Sequence, residues 1–383
     1  MSQPPTVIAH LITAHNRGGT ETQLTRLVLG SNRGLFRHVV ISMTTLGPLA
    51  SDLRAAGVRV HSLEMRHGIP SLIGLARLVL LLNRSKPCVL HCWLYHSCLL
   101  GLIAGGLANV PHVIWGLRSA NEKLSEYSLL TRSVVRLCAT LSRFPDVIVV
   151  NSEKGKAVHK RWGYNASKLI IIPNGIDFDL FSPDLSARLS VRNELGIDSS
   201  ALLVGLFARY HPVKDHSTFL HAARILSSRY SNLHFLLAGP GIVPVNHDLS
   251  QMVRENRLSD RVHLLGLRED VPRLMASLDI ACLSSWSESS PNVVGEDMSC
   301  GVPCVVTDVG DASRMVGSTG LTVPPRNPRA LAEGISALIA MTPAERAILG
   351  SRARNRVRER FSLQNSVRAY ESLYKSLARG SQR

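Results

Sequence analysis

The sequence predicts an α/β protein made of two doubly wound parallel-sheet domains. Three observations carry this. The chain has 383 residues, room for two domains of ordinary size. Short β-branched runs alternate with amphipathic helical patterns from end to end, and those runs are continuously apolar, as strands covered on both faces must be. A turn-rich stretch of mixed polarity divides the series near its middle.

In chain order, the first series of strand-like runs covers residues 7–12, 38–43, 58–63, 89–93, 113–117, 147–150 and 169–172. Pro173-Asn174-Gly175-Ile176-Asp177 then forms a turn cluster, and residues 178–200 read as a polar linker. Asp177 and Asp179 form a carboxylate pair that could suggest a metal, but their place in this turn assigns Asp177 to turn formation. The second series covers 202–208, 233–238, 262–266, 280–283 and 304–307. The expected domains are therefore 1–177 and 201–363. Parallel sheets bind ligands beyond the carboxyl ends of their strands, so two such domains facing across a cleft would place the chemistry in the loops there.

Composition narrows the class. Apolar residues make up 45% and charged residues 19%, which suits a packed core and excludes disorder. Seven cysteines at 88, 92, 98, 138, 282, 300 and 304 include no Cys-x-x-Cys pair and read as buried reduced thiols of a cytoplasmic protein. No Lys or Arg precedes Arg17, so the start does not read as a signal peptide. The most apolar stretches, 72–82 and 99–107, fall short of the ~20 residues of a membrane span. The expectation is a soluble cytoplasmic protein, with the cytoplasmic membrane face as a surface it could meet.

There are 44 Lys and Arg against 28 Asp and Glu, a net charge of +16, which suits a polyanionic partner. Aromatics are 5% and no nucleic-acid-binding motif occurs, so nucleic acid is the remote reading. The arginines at 352, 354, 356, 358 and 360 alternate, which on a helix spreads them over opposing sides and predicts a solvated C-terminal helix. In residues 129–144, Leu130, Val134, Leu137, Leu141 and Phe144 share one helical face, with Arg132, Arg136 and Arg143 opposite. Such a helix either buries its apolar face in the core or rests on an anionic membrane, and the two readings are compatible if only the arginines touch headgroups.

Several loops carry candidate chemistry. Gly18-Gly19 precedes a helix that Thr20 and Gln23 would open as a capping box, a place where backbone N–H groups could approach an anion. Arg209 and Lys214 follow the first strand of the second series and suit a pyrophosphate, one as a fork and one as a point charge. Residues 288–303 are the sharpest signal: Ser290-Pro291 opens a helix that Gly301 and Pro303 close. Glu288 then lies at the helix's positive end and Glu296 within it, placed to hold different hydroxyls of one extended ligand.

Taken together these segments resemble the retaining glycosyltransferases of family 4, which have two Rossmann-like domains in the GT-B fold. The resemblance runs along nearly the whole chain. It rests on Gly18-Gly19-x-Glu21, Trp93-x-Tyr95-His96, Asn151-Ser152, Pro173-Asn174-Gly175-Ile176-Asp177, Arg209 with Lys214, Leu265-Gly266-x-Arg268-x-Asp270-Val271, and the pair Glu288 and Glu296 with Pro303 to Gly310 beyond. It implies transfer of a sugar, with retention, from a nucleotide-diphosphate sugar (UDP-linked) to a hydroxyl acceptor, lipid-linked or a growing polysaccharide. No cofactor and no metal are expected. Arg209 and Lys214 would stabilise the leaving diphosphate, Glu288 would contact the transferred sugar, and Glu296 the ribose. Gly18, Gly19 and Asn292 would also bind the donor, Arg268 would border the base, and His96 would orient the sugar. Trp93, Tyr95 and Arg118 would lie on the acceptor side. The terminal helix, about 364–383, would cross back onto the first domain. The chain departs from the family at Ala208, where Gly is common, at Ser289, which adds a side chain beside the sugar, and at Asp297, where a small residue is usual. A nucleotide-sugar 2-epimerase shares the architecture and would consume the donor without an acceptor.

Overall fold

The computed structural model describes residues 4–14, 18–66 and 71–380, and it divides into two compact units. The first unit comprises residues up to Gly175 together with the segment from Leu363 onward, and the second runs from Ile176 to Ser362.

Unit 1 alternates strand and helix: β1 (Thr6–Ile12), α1 (Gly19–Gly30), β2 (Phe36–Ser42), α2 (Leu49–Ala55), β3 (Arg59–Ser62), α3 (Leu72–Ser85), β4 (Val89–Trp93), α4 (Tyr95–Leu107), β5 (His112–Leu117), α5 (Leu129–Leu141), β6 (Val147–Val150), α6 (Glu153–Arg161) and β7 (Leu169–Ile171). All seven strands pair parallel in the order β3-β2-β1-β4-β5-β6-β7. The order reverses between β1 and β4, where Leu11 pairs with Cys92. One face packs on Leu78, Leu82, Cys98, Ala104 and Val135 of the helices. The other packs on Leu24, Leu27, Leu53, Val367, Tyr370 and Tyr374.

Unit 2 repeats the plan with α7 (Leu185–Leu195), β8 (Leu202–Phe207), α8 (His216–Ser227), β9 (Leu233–Ala238), α9 (His247–Glu255), β10 (Val262–Leu264), α10 (Val271–Ala276), β11 (Ile280–Leu283), α11 (Asn292–Ser299), β12 (Cys304–Thr307), α12 (Ala312–Val316), β13 (Leu321–Val323), α13 (Pro328–Ile339) and α14 (Pro343–Phe361). Its parallel order is β10-β9-β8-β11-β12-β13, reversing between β8 and β11. The residues expected to form a linker belong to this unit: Phe181, Val191 and Ile197 lie in its core, and Asp184 caps α7. Asp177 accepts backbone hydrogen bonds from Asp179 and Leu180, a turn rather than a metal ligand pair.

The last helix, α15 (Leu363–Gly380), returns to unit 1, where Tyr370 and Tyr374 pack on the sheet; residues 381–383 lie outside the described residues. Its seat is built from histidines. His10 and His38 share a 2.9 Å hydrogen bond, Trp93 donates to His10 at 3.2 Å, and His91 bonds the Tyr374 hydroxyl at 2.8 Å.

The arginine run on α14 is not simply solvated. Arg354 donates to the carbonyls of Phe181 and Ser299, and Arg356 to those of Met315 and Arg314. The guanidiniums of Arg354 and Arg358 also lie over the Phe178 ring. On α5 the buried residues are Val134, Val135 and Cys138, while Leu130, Leu137 and Phe144 stay exposed. The buried arc is thus turned roughly a quarter of the way round the helix from the expected face. Among the described residues, no helix is long and apolar enough to cross a membrane.

Candidate active site

In unit 2 the site is built at the carboxyl ends of β8 and β11, adjacent strands at the reversal of strand order, where open parallel sheets bind ligands. Past β8 the chain passes Arg209, which is exposed and whose guanidinium makes no hydrogen bond or ion pair among the described residues. A 3-10 turn, Pro212–Lys214, follows, capped by the His211 side chain. Asp215 adopts φ 50° and caps α8 through Thr218, so the backbone around Lys214 is fixed on both sides.

Lys214 Nζ reaches Glu288 Oε1 at 2.5 Å. Ser285 Oγ donates to the same carboxylate oxygen at 2.7 Å, and Ser284 Oγ donates to the Lys214 carbonyl at 2.8 Å. Trp286 ties the two loops further, its backbone N–H donating to Val213 and its indole to Pro212. Lys214 and Glu288, 74 residues apart, are held in one place by five hydrogen bonds. Nothing in the sequence flagged Ser285 or Trp286, although small hydroxyl residues just past a strand's carboxyl end were a usable signal.

The backbone behind these loops needs glycine at two points. Gly310 has φ 57°, and a Cβ there would lie 2.5 Å from the Glu288 carbonyl oxygen. A Cβ at Gly239 would lie 2.2 Å from the Ala208 carbonyl oxygen, beside Arg209. Both loops therefore sit on backbone at closest approach.

Helix α11 begins at Asn292 after Pro291, with no side-chain cap; Ser290 does not supply one. Glu296 is half-buried one turn along. Its neighbour Asp297 is buried, with one carboxyl oxygen lacking a hydrogen-bond partner. Burial pushes its pKa well up, and the charge of Glu296 adds to the effect. Arg268 is committed elsewhere: it grips both oxygens of Asp270 at 2.7 and 2.8 Å and Glu194 at 2.8 Å. Its side chain belongs to this charged ring, 26% exposed.

In unit 1, Gly18 caps α1 through backbone alone, and Gly19 is the first helical residue. Gln23 does not complete a capping box; its amide clasps Gly175 by accepting from the N–H at 2.9 Å and donating to the carbonyl at 3.0 Å. Of the three residues expected on the acceptor side, two are buried and one is partly buried. Trp93 is wholly buried, and Tyr95 is buried with its hydroxyl bonded to His159 at 2.9 Å. Arg118 lies 4.5 Å over the Trp93 ring and donates to Asn174 and Tyr370. His96 is different. It follows Leu94, which adopts φ 73°, ψ 160°, a region nearly reserved for glycine, and it lines a cavity with Thr13, just past β1. His96 and Thr13 thus mark the strand-order reversal of unit 1. Among the described residues, no three His, Cys, Asp or Glu side chains group as a metal site requires.

Residues 17–180 match the family described as Glycosyltransferase Family 4, and residues 201–341 match the family described as Glycosyl transferases group 1. The chain belongs to glycosyltransferase family 4. Among curated relatives, it is 30% identical to putative glycosyltransferase EpsF of Bacillus subtilis, over 41% of this chain and 40% of that protein. It is 25% identical to the UDP-Gal:alpha-D-GlcNAc-diphosphoundecaprenol alpha-1,3-galactosyltransferase of Escherichia coli, over 67% of this chain and 66% of that one. The matched segments thus span from about two fifths to just under two thirds of these relatives' lengths. Among solved structures, HepE of Anabaena in complex with UDP and glucose aligns over 97% of this chain and all of that one, with TM-score 0.85 and 22% identity. Sucrose-phosphate synthase of Thermosynechococcus elongatus aligns over 97% and 99%, with TM-score 0.81 and 21% identity. These likenesses establish the GT-B fold of this family 4 chain.

Proposed function

We propose that the protein is a retaining, metal-independent glycosyltransferase that moves a sugar from a UDP-sugar to a hydroxyl of a lipid-linked acceptor in polysaccharide assembly. The observation that carries it is the Lys214–Glu288 pair, with Arg209 on the same loop after β8, at the carboxyl ends of β8 and β11. As the glycosidic bond breaks, charge grows on the leaving diphosphate, and Lys214, preorganised by Glu288, together with Arg209 offsets it. Glu288 holds a hydroxyl of the transferred sugar, and Glu296 and Asn292 take the nucleoside end. His96 and the Gly18-Gly19 turn belong to unit 1, which receives the acceptor.

The UDP and glucose bound to HepE support a UDP-sugar donor, and the diphosphoundecaprenol acceptor of the Escherichia coli relative supports a lipid-linked one. Contact with the membrane would use the exposed Arg136 and Arg143. Arg132 is diverted, its guanidinium donating to the carbonyls of Tyr127 and Ser125. The test is a panel of nucleotide sugars screened by thermal shift, then transfer to lipid-linked sugar acceptors with the best donor, with product anomeric configuration read by NMR. A product of inverted configuration would overturn retention. Donor turnover that proceeds equally without acceptor would overturn transfer.

A further inference from the structure

Unit 1 holds a cavity of about 410 Å³ in the angle between α3, α4 and α5. Its walls are Leu75, Leu99, Leu100, Ile103, Leu130 and Val134. Around it the apolar surface continues outward: Leu72, Ile73 and Leu129 are 85%, 69% and 77% exposed. The turn of α5 that leaves Leu130 and Leu137 out of the core belongs to the same surface. A water-facing protein gains nothing from such a concentration, and it marks a place that an apolar ligand covers.

The polar part of the lining is of one sign. Among the described residues no carboxylate lines the cavity, and Arg66, which does line it, is exposed and without an ion pair. The capping residues of α3 and α5, Ser71 and Ser128, also line it, so the positive ends of both helices are near. Thr13 contributes a buried hydroxyl with no hydrogen-bond partner, and His96 stands in the same lining. An occupant that suits this set has an anionic head and a hydrocarbon tail. The cavity's place at the strand-order reversal of unit 1 is where a ligand of this fold belongs.

We propose that this cavity binds the first isoprene units of the acceptor's polyprenyl chain, with the adjoining diphosphate near Arg66. The proposal rests on the lipid-linked acceptor reading above and gives that acceptor a seat.

The test is calorimetric titration with geranyl, farnesyl and geranylgeranyl diphosphate and with inorganic diphosphate. Saturating UDP blocks the diphosphate site of unit 2. Affinity should rise at least tenfold from geranyl to geranylgeranyl, and inorganic diphosphate should not bind, because each added five-carbon unit enters the apolar wall. Ile103→Trp, at a half-exposed position that tolerates bulk, should lower geranylgeranyl diphosphate affinity at least tenfold with UDP affinity unchanged. Arg66→Gln should weaken the diphosphate while leaving geranylgeraniol unaffected. Absence of chain-length dependence would overturn the proposal. So would binding to phosphatidylglycerol vesicles that Ile103→Trp leaves intact while the isoprenyl diphosphates fail to bind, since the surface would then dock a bilayer. Chain-dependent binding without transfer to any lipid-linked sugar supports the cavity and defeats the acceptor reading. Transfer with the same KM in Ile103→Trp defeats the cavity and keeps that reading.

Discussion

The ammonium of Lys214 sits 2.5 Å from the Glu288 carboxylate, and both are largely shielded from water. Each is therefore preorganised by the other, and under the proposed function an arriving donor would find the cation and the carboxylate already aimed. Lys214→Met should lower kcat on the order of 100-fold, more than it raises KM, because diphosphate charge develops only as the bond breaks. Activity should persist through exhaustive EDTA treatment. Loss on chelation, restored by Mg²⁺ or Mn²⁺, would transfer that task from Lys214 and Arg209 to a metal.

Glu288→Gln should abolish transfer with little change in Tm, since the residue lies in a loop that Ser284 and Trp286 still tie down. Circular dichroism melting beside a transfer assay separates the two effects. A variant as active as the wild type would remove Glu288 from the catalytic set.

Glu296→Ala should weaken nucleotide binding by about 1.5–3 kcal/mol, the worth of a hydrogen bond to a charged group. Titration with UDP measures it. Unchanged UDP affinity would remove the ribose role.

Gly310→Ala tests the backbone behind Glu288. The added Cβ would lie 2.5 Å from the Glu288 carbonyl oxygen, at a φ of 57° that alanine resists. The variant should lose about 1–3 kcal/mol of stability and most of its activity. Wild-type stability in urea would show that the loop yields freely.

Protonation of the histidines under α15 gives the chain a pH-dependent stability. Burial lowers the pKa of His10, His38 and His91, with neighbouring charges adding to it, His38 to about 4. The unfolded chain takes up protons below about pH 6.5 while the fold refuses them. Stability should be full above that pH and fall as pH drops from 6.5 toward 4, by about 3 kcal/mol through His38 alone. A Tm unchanged between pH 7 and 4.5 would contradict this.

Much of the fold was legible because parallel strands buried on both faces leave continuous apolar runs, as at β1 and β8. The placement of Arg209 and Lys214 on the loop after β8 was legible for the same reason: both lie just past such a run. What escaped the sequence depends on tertiary partners. Thr20 and Gln23 have capping-box spacing, but Gln23 is taken by Gly175. The arginines of α14 look solvated until Phe181 and Ser299 present carbonyls to Arg354. Trp93 and Tyr95 stand next to His96 in the chain, yet the turn at Leu94 sends the indole and the phenol into the core and leaves His96 at the cavity. Helix α5 carries apolar residues over two adjoining arcs, so periodicity alone could not choose which one is buried.

Because α15 completes unit 1, that unit cannot finish folding on the ribosome when its own strands have emerged. After Gly175 the whole of unit 2 must be translated before Tyr370 and Tyr374 exist to cover His10, His38 and His91. At 5–20 residues per second the uncovered sheet face waits on the order of ten to forty seconds. Through that interval α1 and α2 cover only part of the face, and the remainder that α15 will bury stays open to the cell, the condition in which chaperones bind.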